Sequence, residues 1–329
     1  MCYHPFFLKK QMLKKLSILS LAALAAIFFV GCSDDDSDLP WGPGLGGGSN
    51  NNNNSGGDYV WDAKPIQAAD NIVVAHRGVC SEIGAPDNSL ASLRGAIALG
   101  LYGSECDIYW TKDNNVIIAH ADSECKVKNL YPWENTIDDF RRAGVLSNGE
   151  VIPTLEEYIK VAALEGKCTK LVLDIKNITA PTSISADTRA QYCINACRRA
   201  IEIAESLGAT DWIEFICTGN DKVMKGCGPL CETAKIPIGW MANKTGKEYD
   251  SLGKGYTYAY RWANLSLEHM NDGFSGGKRT IDEFVNLGIE FSCYNVDTDQ
   301  QMNYYIGQSH KIKCICSNYP RKLLSKMKN

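Results

Sequence analysis

The chain has 329 residues, 45% apolar and 22% charged, a balance that suits a folded globular protein and excludes a disordered chain, a collagen-like chain and a polytopic membrane protein. Its formal charge is −4; the first 31 residues hold four lysines and no acid, so the remainder carries −8 and nonspecific nucleic-acid binding is not expected. From Asp58 onward 272 residues remain, enough to bury one large core.

The N-terminus reads as an address. Lys9, Lys10, Lys14 and Lys15 precede an uncharged run from Leu16 to Val30. A spanning helix needs about 20 apolar residues, more than this run supplies, so residues 1–31 are predicted to be a secretory signal peptide. Met12 is an alternative start that gives a leader of more usual length. Phe29-Val30-Gly31-Cys32 resembles a bacterial lipoprotein signal, in which the cysteine becomes the lipidated first residue of the mature protein. Residues 32–57 join the acidic stretch Ser33-Asp34-Asp35-Asp36-Ser37-Asp38 to a Gly/Asn-rich run, which cannot bury a core and reads as a flexible tether. The acidic patch resembles the surface-export signals of Bacteroidota lipoproteins. The expectation is an exported lipoprotein of the bacterial outer membrane, on its periplasmic face or the cell surface, held to the membrane through Cys32.

Beyond Asp58, short β-branched runs alternate with helix-period segments. Strands are predicted over 71–78, 104–110, 116–120, 171–176, 212–217, 236–242, around 258–265, 290–296 and 313–318. Helices are predicted over 88–99, where Leu90, Leu93, Ile97 and Ala98 share a face, and over 154–164, 186–207, 280–287 and 298–306. Repeated strand–helix units ending in polar residues argue for a parallel sheet, and about eight of them predict an α/β fold closed into a (β/α)8 TIM barrel over 58–329, with a doubly wound open sheet as the alternative. No glycine-rich phosphate loop is present, so no nucleotide cofactor is expected. Of the cysteines beyond Cys32, Cys217, Cys293 and Cys314 lie in apolar runs and are expected as small buried thiols; no CxxC metal pair occurs and no bridge is assigned.

In a barrel the chemistry sits at the C-terminal ends of the strands. The first run ends in His76-Arg77-Gly78, the second carries Glu105 and Asp107, the next ends in His120, and LVLDIK supplies Asp174 and Lys176. Glu105 and Asp107 are two apart, which puts both on one face of a strand. Three carboxylates converging on one mouth call for a cation, and hard oxygen ligands suit Ca²⁺ or Mg²⁺ rather than zinc. Arg77 and Lys176 add fixed positive charge matched to an anionic, phosphoryl substrate, with His76 and His120 as proton carriers. His269 and His310 lie in polar surroundings and are expected at the surface.

These residues resemble the glycerophosphodiester phosphodiesterase family. The resemblance is carried by His76-Arg77-Gly78, Pro86-Asp87-Asn88-Ser89, Glu105-Cys106-Asp107, Thr111-Lys112-Asp113 and His120, then by Ile152-Pro153-Thr154-Leu155-Glu156-Glu157 and Asp174-Ile175-Lys176. It closes with Cys293-Tyr294-Asn295-Val296 and Cys316-Ser317-Asn318-Tyr319-Pro320, so it spans Asn71 to Pro320. It implies a barrel hydrolase that cleaves glycerophosphodiesters to glycerol 3-phosphate and an alcohol with one divalent cation, Ca²⁺ or Mg²⁺. Carried over by position, Glu105, Asp107 and Asp174 are the metal ligands, His76 and His120 the acid–base pair, and Arg77 and Lys176 the phosphate clamp.

The chain departs from the family pattern at several points. Asp87 and Asp174 stand where the family has glutamate, Ala121 follows His120 in place of aspartate, and Tyr294 replaces a tryptophan. Two other readings remain at this level: a phospholipase or lysophospholipase D-type barrel acting on lipids, for which Trp133, Trp240 and Trp262 are candidates for an apolar rim, and a non-catalytic ligand-binding lipoprotein.

Overall fold

Among the described residues nine apolar runs form strands: β1 (Val73–Ala75), β2 (Gly103–Trp110), β3 (Val116–Ile118), β4 (Lys170–Ile175), β5 (Ile213–Cys217), β6 (Ile238–Ala242), β7 (Tyr260–Ser266), β8 (Glu290–Tyr294) and β9 (Cys314–Ser317). The helices are α1 (Leu90–Ala98), α2 (Ile137–Arg142), α3 (Leu155–Glu165), α4 (Ala186–Ser206), α5 (Asp221–Ala234), α6 (Ile281–Val285), α7 (Asp299–Gly307) and α8 (Pro320–Met327). The computed structural model describes residue 61, residues 63–242 and residues 260–328. The predicted signal peptide, Cys32 and the predicted tether lie outside the described residues, as do positions 258 and 259 of the predicted strand before Leu265.

Eight strands pair in parallel in the order β1, β2, β4, β5, β6, β7, β8, β9, and β9 pairs back with β1, with Cys316 opposite Val74, which closes the barrel. The open-sheet alternative is thereby excluded. The predicted strand over 116–120 is not a barrel member. Only residues 111–115 separate β3 from β2, too few for a crossover, so β3 folds back antiparallel with Ile117 opposite Tyr109.

The pleat sorts each strand into two faces. On β4, Leu173 faces the core shared with the helices, together with Tyr158, Ala162, Cys197 and Phe215. Val172 packs inside the barrel with Val74, Ile216, Trp262, Cys314 and Cys316. Below that layer Glu214, 1% exposed, is held by Lys170 Nζ at 2.8 Å and Tyr102 Oη at 3.0 Å, so this buried acid is a structural plug.

Helix starts follow from capping chemistry. Ser89, Thr136, Thr154 and Thr298 each accept the N3 backbone N–H while the N3 side chain returns to the cap backbone, an arrangement worth about 1 kcal/mol each. Helix α5 has no counterpart in the sequence reading, because Gly226, Gly228 and Pro229 are poor helix formers. Tertiary packing overrides them: Val223, Met224, Cys227 and Cys231 are buried, and Gly226 leaves room for the Ile194 side chain of α4. The short α2 and the C-terminal α8 are likewise absent from the sequence reading.

The three candidate rim tryptophans are buried. Trp133, Trp240 and Trp262 are 5%, 0% and 2% exposed; Trp133 stacks on Tyr131 and Tyr192, and Trp262 donates to Ser292 Oγ inside the barrel. The cysteines from Cys80 to Cys316 are unbridged, and all but Cys80 and Cys168 are buried.

Candidate active site

Strand register assembles the acids. Glu105 and Asp107 face inward from β2, and Asp107 lies directly opposite Asp174 of β4. Carboxylate oxygens of Glu105, Asp107 and Asp174 all lie within 4.8 Å of one another, and all three residues are buried. The surrounding groups offset part of the repulsion. Lys176 Nζ stands 2.9 Å from both Asp107 Oδ1 and Asp174 Oδ2, and Arg77 Nε is 3.3 Å from Asp107 Oδ2. Asn88 donates from Nδ2 to Asp107 Oδ2 at 2.8 Å, and its Oδ1 accepts the Asp107 backbone N–H. The Arg77 backbone N–H donates to Glu105 Oε2 at 2.8 Å.

The electrostatics divide the triad. Burial, then repulsion from Asp107 and Asp174, pushes Glu105 well above the usual carboxylate range. Burial also raises Asp174, with Lys176 opposing it. At Asp107 burial acts in the same sense, but Lys176, Arg77 and the Asn88 amide outweigh it and hold the group low. Burial alone would lower Lys176; Asp174 and Asp107 reverse that and raise it. Asp174 Oδ1 is buried and has no hydrogen-bond partner. Three converging hard oxygens, one of them unpartnered, fit a divalent cation of the Ca²⁺ or Mg²⁺ type.

The turn after β1 supplies Arg77 and the first histidine. Arg77 and Asn88 adopt left-handed backbone, with φ of +56° and +58°. Gly78 has φ of +84°, and a Cβ there would lie 2.7 Å from the Ser92 backbone carbon, so the turn needs glycine. Asp87 pairs with Arg77 at 3.0 Å and is more than half exposed. His76 places Nε2 3.9 Å from Glu105 Oε2, and its Nδ1 is 2.7 Å from Asn318 Oδ1. His120 follows β3 and is held at the barrel mouth because the Ala119 N–H donates to the Asp107 carbonyl at 3.0 Å. Desolvation keeps both imidazoles below their ordinary value.

Cavities flank the mouth among the described residues. One of about 240 Å³ is lined by Arg77, Asp87, His120, Asp122, Lys128 and Ile152. A second of about 440 Å³ is lined by His76, Asp87, Asp297, Asn318 and Tyr319, so Asp87 borders both histidines' cavities. A third, about 630 Å³, is lined by Asn177, Asn220, Met241, Ser266, His269 and Tyr294. His269 is therefore not a surface residue: it is 8% exposed, because the turn after β7 folds it against the barrel mouth. His310 is exposed.

Residues 76–322 match the sequence profile of the Glycerophosphoryl diester phosphodiesterase family, three quarters of the chain. The chain belongs to that family. A curated relative, the glycerophosphodiester phosphodiesterase of Caldanaerobacter subterraneus subsp. tengcongensis, is 30% identical over 98 residues, which span 27% of this chain and 40% of the relative. Solved structures share the family fold. The glycerophosphodiester phosphodiesterase of Parabacteroides distasonis superposes with a TM-score of 0.62 at 22% identity, covering 80% of this chain and 98% of that one. An Oleispira antarctica phosphodiesterase, solved with the product sn-glycerol-3-phosphate, gives 0.58 at 16% identity over 78% and 97% of the two chains.

Within this family member the structure brings together Glu105, Asp107, Asp174, Arg77, Lys176 and His76, with His120 on the adjoining rim. The sequence reading assigned no role to Asn88, Asp297 or Asn318. Asn88 was open to detection, since asparagine tolerates the left-handed backbone of a tight turn; the contacts of Asp297 and Asn318 depend on tertiary pairing.

Proposed function

We propose that the chain is a metal-dependent phosphodiesterase that hydrolyses glycerophosphodiesters to glycerol 3-phosphate and an alcohol. The observation that carries this reading is the buried Glu105, Asp107 and Asp174 triad interlocked with Arg77 and Lys176. Three carboxylates against two fixed cations leave a site that cannot take a phosphodiester anion unaided. Glu105, Asp107 and Asp174 would hold a divalent cation, which would offset their charge, polarise phosphoryl oxygens and lower the pKa of a nearby hydroxyl. Ca²⁺ is the first choice because it tolerates irregular carboxylate cages, with Mg²⁺ the alternative.

The chain's own residues do the rest. Arg77 and Lys176 bind the phosphate and exchange their carboxylate partners for its oxygens. His76 at Nε2 takes a proton from the attacking glycerol hydroxyl while His120 on the adjoining rim delivers one to the departing alcohol oxygen; water then opens the cyclic phosphate, giving up a proton to His120 as His76 returns one to the glycerol oxygen, to leave glycerol 3-phosphate. Desolvation lowers the His76 imidazole from its ordinary value, which favours the neutral, proton-accepting form at neutral pH. The relative from Oleispira antarctica, solved with sn-glycerol-3-phosphate, supports the small-molecule substrate. Trp133, Trp240 and Trp262 are buried and lend no support to the lipid-substrate alternative.

The leader, Cys32 and tether support an exported lipoprotein of the bacterial outer membrane, anchored through Cys32, acting on small glycerophosphodiesters with no nucleic-acid partner and no nucleotide cofactor. No helix among the described residues is long and apolar enough to cross a membrane. Incorporation of labelled fatty acid, lost on Cys32→Ala, tests the anchor.

The activity is tested by following glycerol 3-phosphate release from glycerophosphocholine and glycerophosphoethanolamine with Ca²⁺, with Mg²⁺ and with EDTA, beside His120→Ala. Release that requires metal and falls by about 10²-fold or more in the variant is expected. A folded protein with no release under either metal overturns the reading.

A further inference from the structure

We propose that Asp297 is a positioning residue that sets the tautomer of His76 through the side-chain amide of Asn318; its consequence for catalysis rests on the proton-carrier role of His76 given above. Asp297 follows β8 and Asn318 follows β9, and the two meet beside the end of β1. Asp297 Oδ1 accepts the Asn318 backbone N–H at 2.9 Å and the Ser317 hydroxyl at 3.1 Å. Its Oδ2 accepts the Asn318 Nδ2–H at 2.7 Å.

A carboxylate can only accept, so it orients the amide it binds. Turning the Asn318 amide over would set its carbonyl oxygen against Asp297 Oδ2 with no proton between them. The amide is therefore held with Oδ1 toward His76, 2.7 Å from Nδ1. A carbonyl oxygen also only accepts, so Nδ1 must carry the ring proton. A neutral imidazole then keeps its lone pair on Nε2, the nitrogen on the Glu105 side of the ring. Asp297 determines which nitrogen of His76 can take a proton, although it is bonded to Asn318 and not to the ring.

The substitution Asp297→Asn makes a sharp test. The Asn318 backbone N–H and the Ser317 hydroxyl still need an acceptor, so the new amide keeps its oxygen toward them and presents NH₂ to the Asn318 side chain. Asn318 turns over to accept it, aims its own NH₂ at His76 Nδ1, and drives the ring proton to Nε2. In the exchange D297N/N318D the carboxylate stands next to the ring and accepts both from the new amide and from Nδ1–H, so the original tautomer returns.

The experiment is ring-nitrogen NMR of the full chain at a pH where the imidazole is neutral, with His76 assigned by its loss in His76→Gln. The expected pattern is a proton on Nδ1 in wild type, on Nε2 in D297N, and on Nδ1 again in the exchange variant. In parallel kcat falls by about 10²-fold or more in D297N with KM little changed, and recovers in the exchange. Where D297N does not fold, Asn318→Ala serves, and its His76 should show both tautomers. A wild-type proton on Nε2, or no difference between wild type and the folded variants, overturns the proposal. The tautomer is read without substrate, so absence of wild-type hydrolysis counts against the proposed activity alone.

Discussion

Lys176 places its ammonium 2.9 Å from Asp107 Oδ1, and the same nitrogen lies 2.9 Å from Asp174 Oδ2. In the metal-free chain this lysine supplies part of the counter-charge that a bound cation would bring. Lys176→Met leaves two buried carboxylates short of a partner, and a loss of about 3 kcal/mol is expected without metal. Added Ca²⁺ then recovers part of it, so the rise in melting temperature on adding Ca²⁺ should be larger in the variant than in wild type. Equal rises would show that lysine and cation do not share this role.

Glu105 should behave in the opposite sense. Burial and its two acidic neighbours disfavour its charge, so Glu105→Gln removes a repulsive group while keeping an oxygen for the Arg77 N–H. Metal-free stability in urea is expected to hold or to rise by up to about 1 kcal/mol. The same variant should lose the heat of Ca²⁺ binding in calorimetry and about 10²-fold or more in turnover. A clear loss of metal-free stability would contradict the repulsion argument.

Asn88 combines a backbone role with a side-chain role. It sits at φ of +58° and exchanges two hydrogen bonds with buried Asp107. Asn88→Gly keeps the backbone freedom and loses the bonds, at a cost of about 2 kcal/mol. Asn88→Ala should cost about 1 kcal/mol more because alanine resists the left-handed region. Urea unfolding of the two variants separates the contributions; equal losses would remove the backbone part.

Gly78 is a packing constraint on the active-site turn. Its φ of +84° disfavours any side chain, and a Cβ would press on both the side chain and the backbone of Ser92. Gly78→Ala is expected to cost about 2 kcal/mol or more and to weaken activity by displacing Arg77. Ser92→Ala in the same chain should not restore either, since the Ser92 Cβ and backbone carbon would still lie 2.6 and 2.7 Å from the added Cβ. Recovery in the double variant would place the conflict at the hydroxyl alone.

The site was legible in the sequence wherever a polar residue interrupts or ends an apolar strand run. His76, Glu105, Asp107 and Asp174 all announce themselves this way. The same rule misread the run ending in His120 as a barrel strand, because β3 has strand composition and only its short link to β2 marks it as a hairpin arm. Local composition also misplaced His269, whose polar neighbours in sequence say nothing of the turn that buries it, and missed α5, whose Gly226 lies against Ile194 of a neighbouring helix.

By itself the sequence determined the alternation of strand and helix, the placement of Glu105 and Asp107 on one strand face, and the ordered motifs of the family. Those properties are carried by spacing of a few residues, where side-chain period acts directly. Tertiary structure alone decided that Asp107 stands opposite Asp174, that Lys176 reaches both, and that Asp297 grips the amide behind His76. Each of these depends on strand register and barrel closure between segments far apart in the chain, and a shift of one residue would turn the acids out of the mouth.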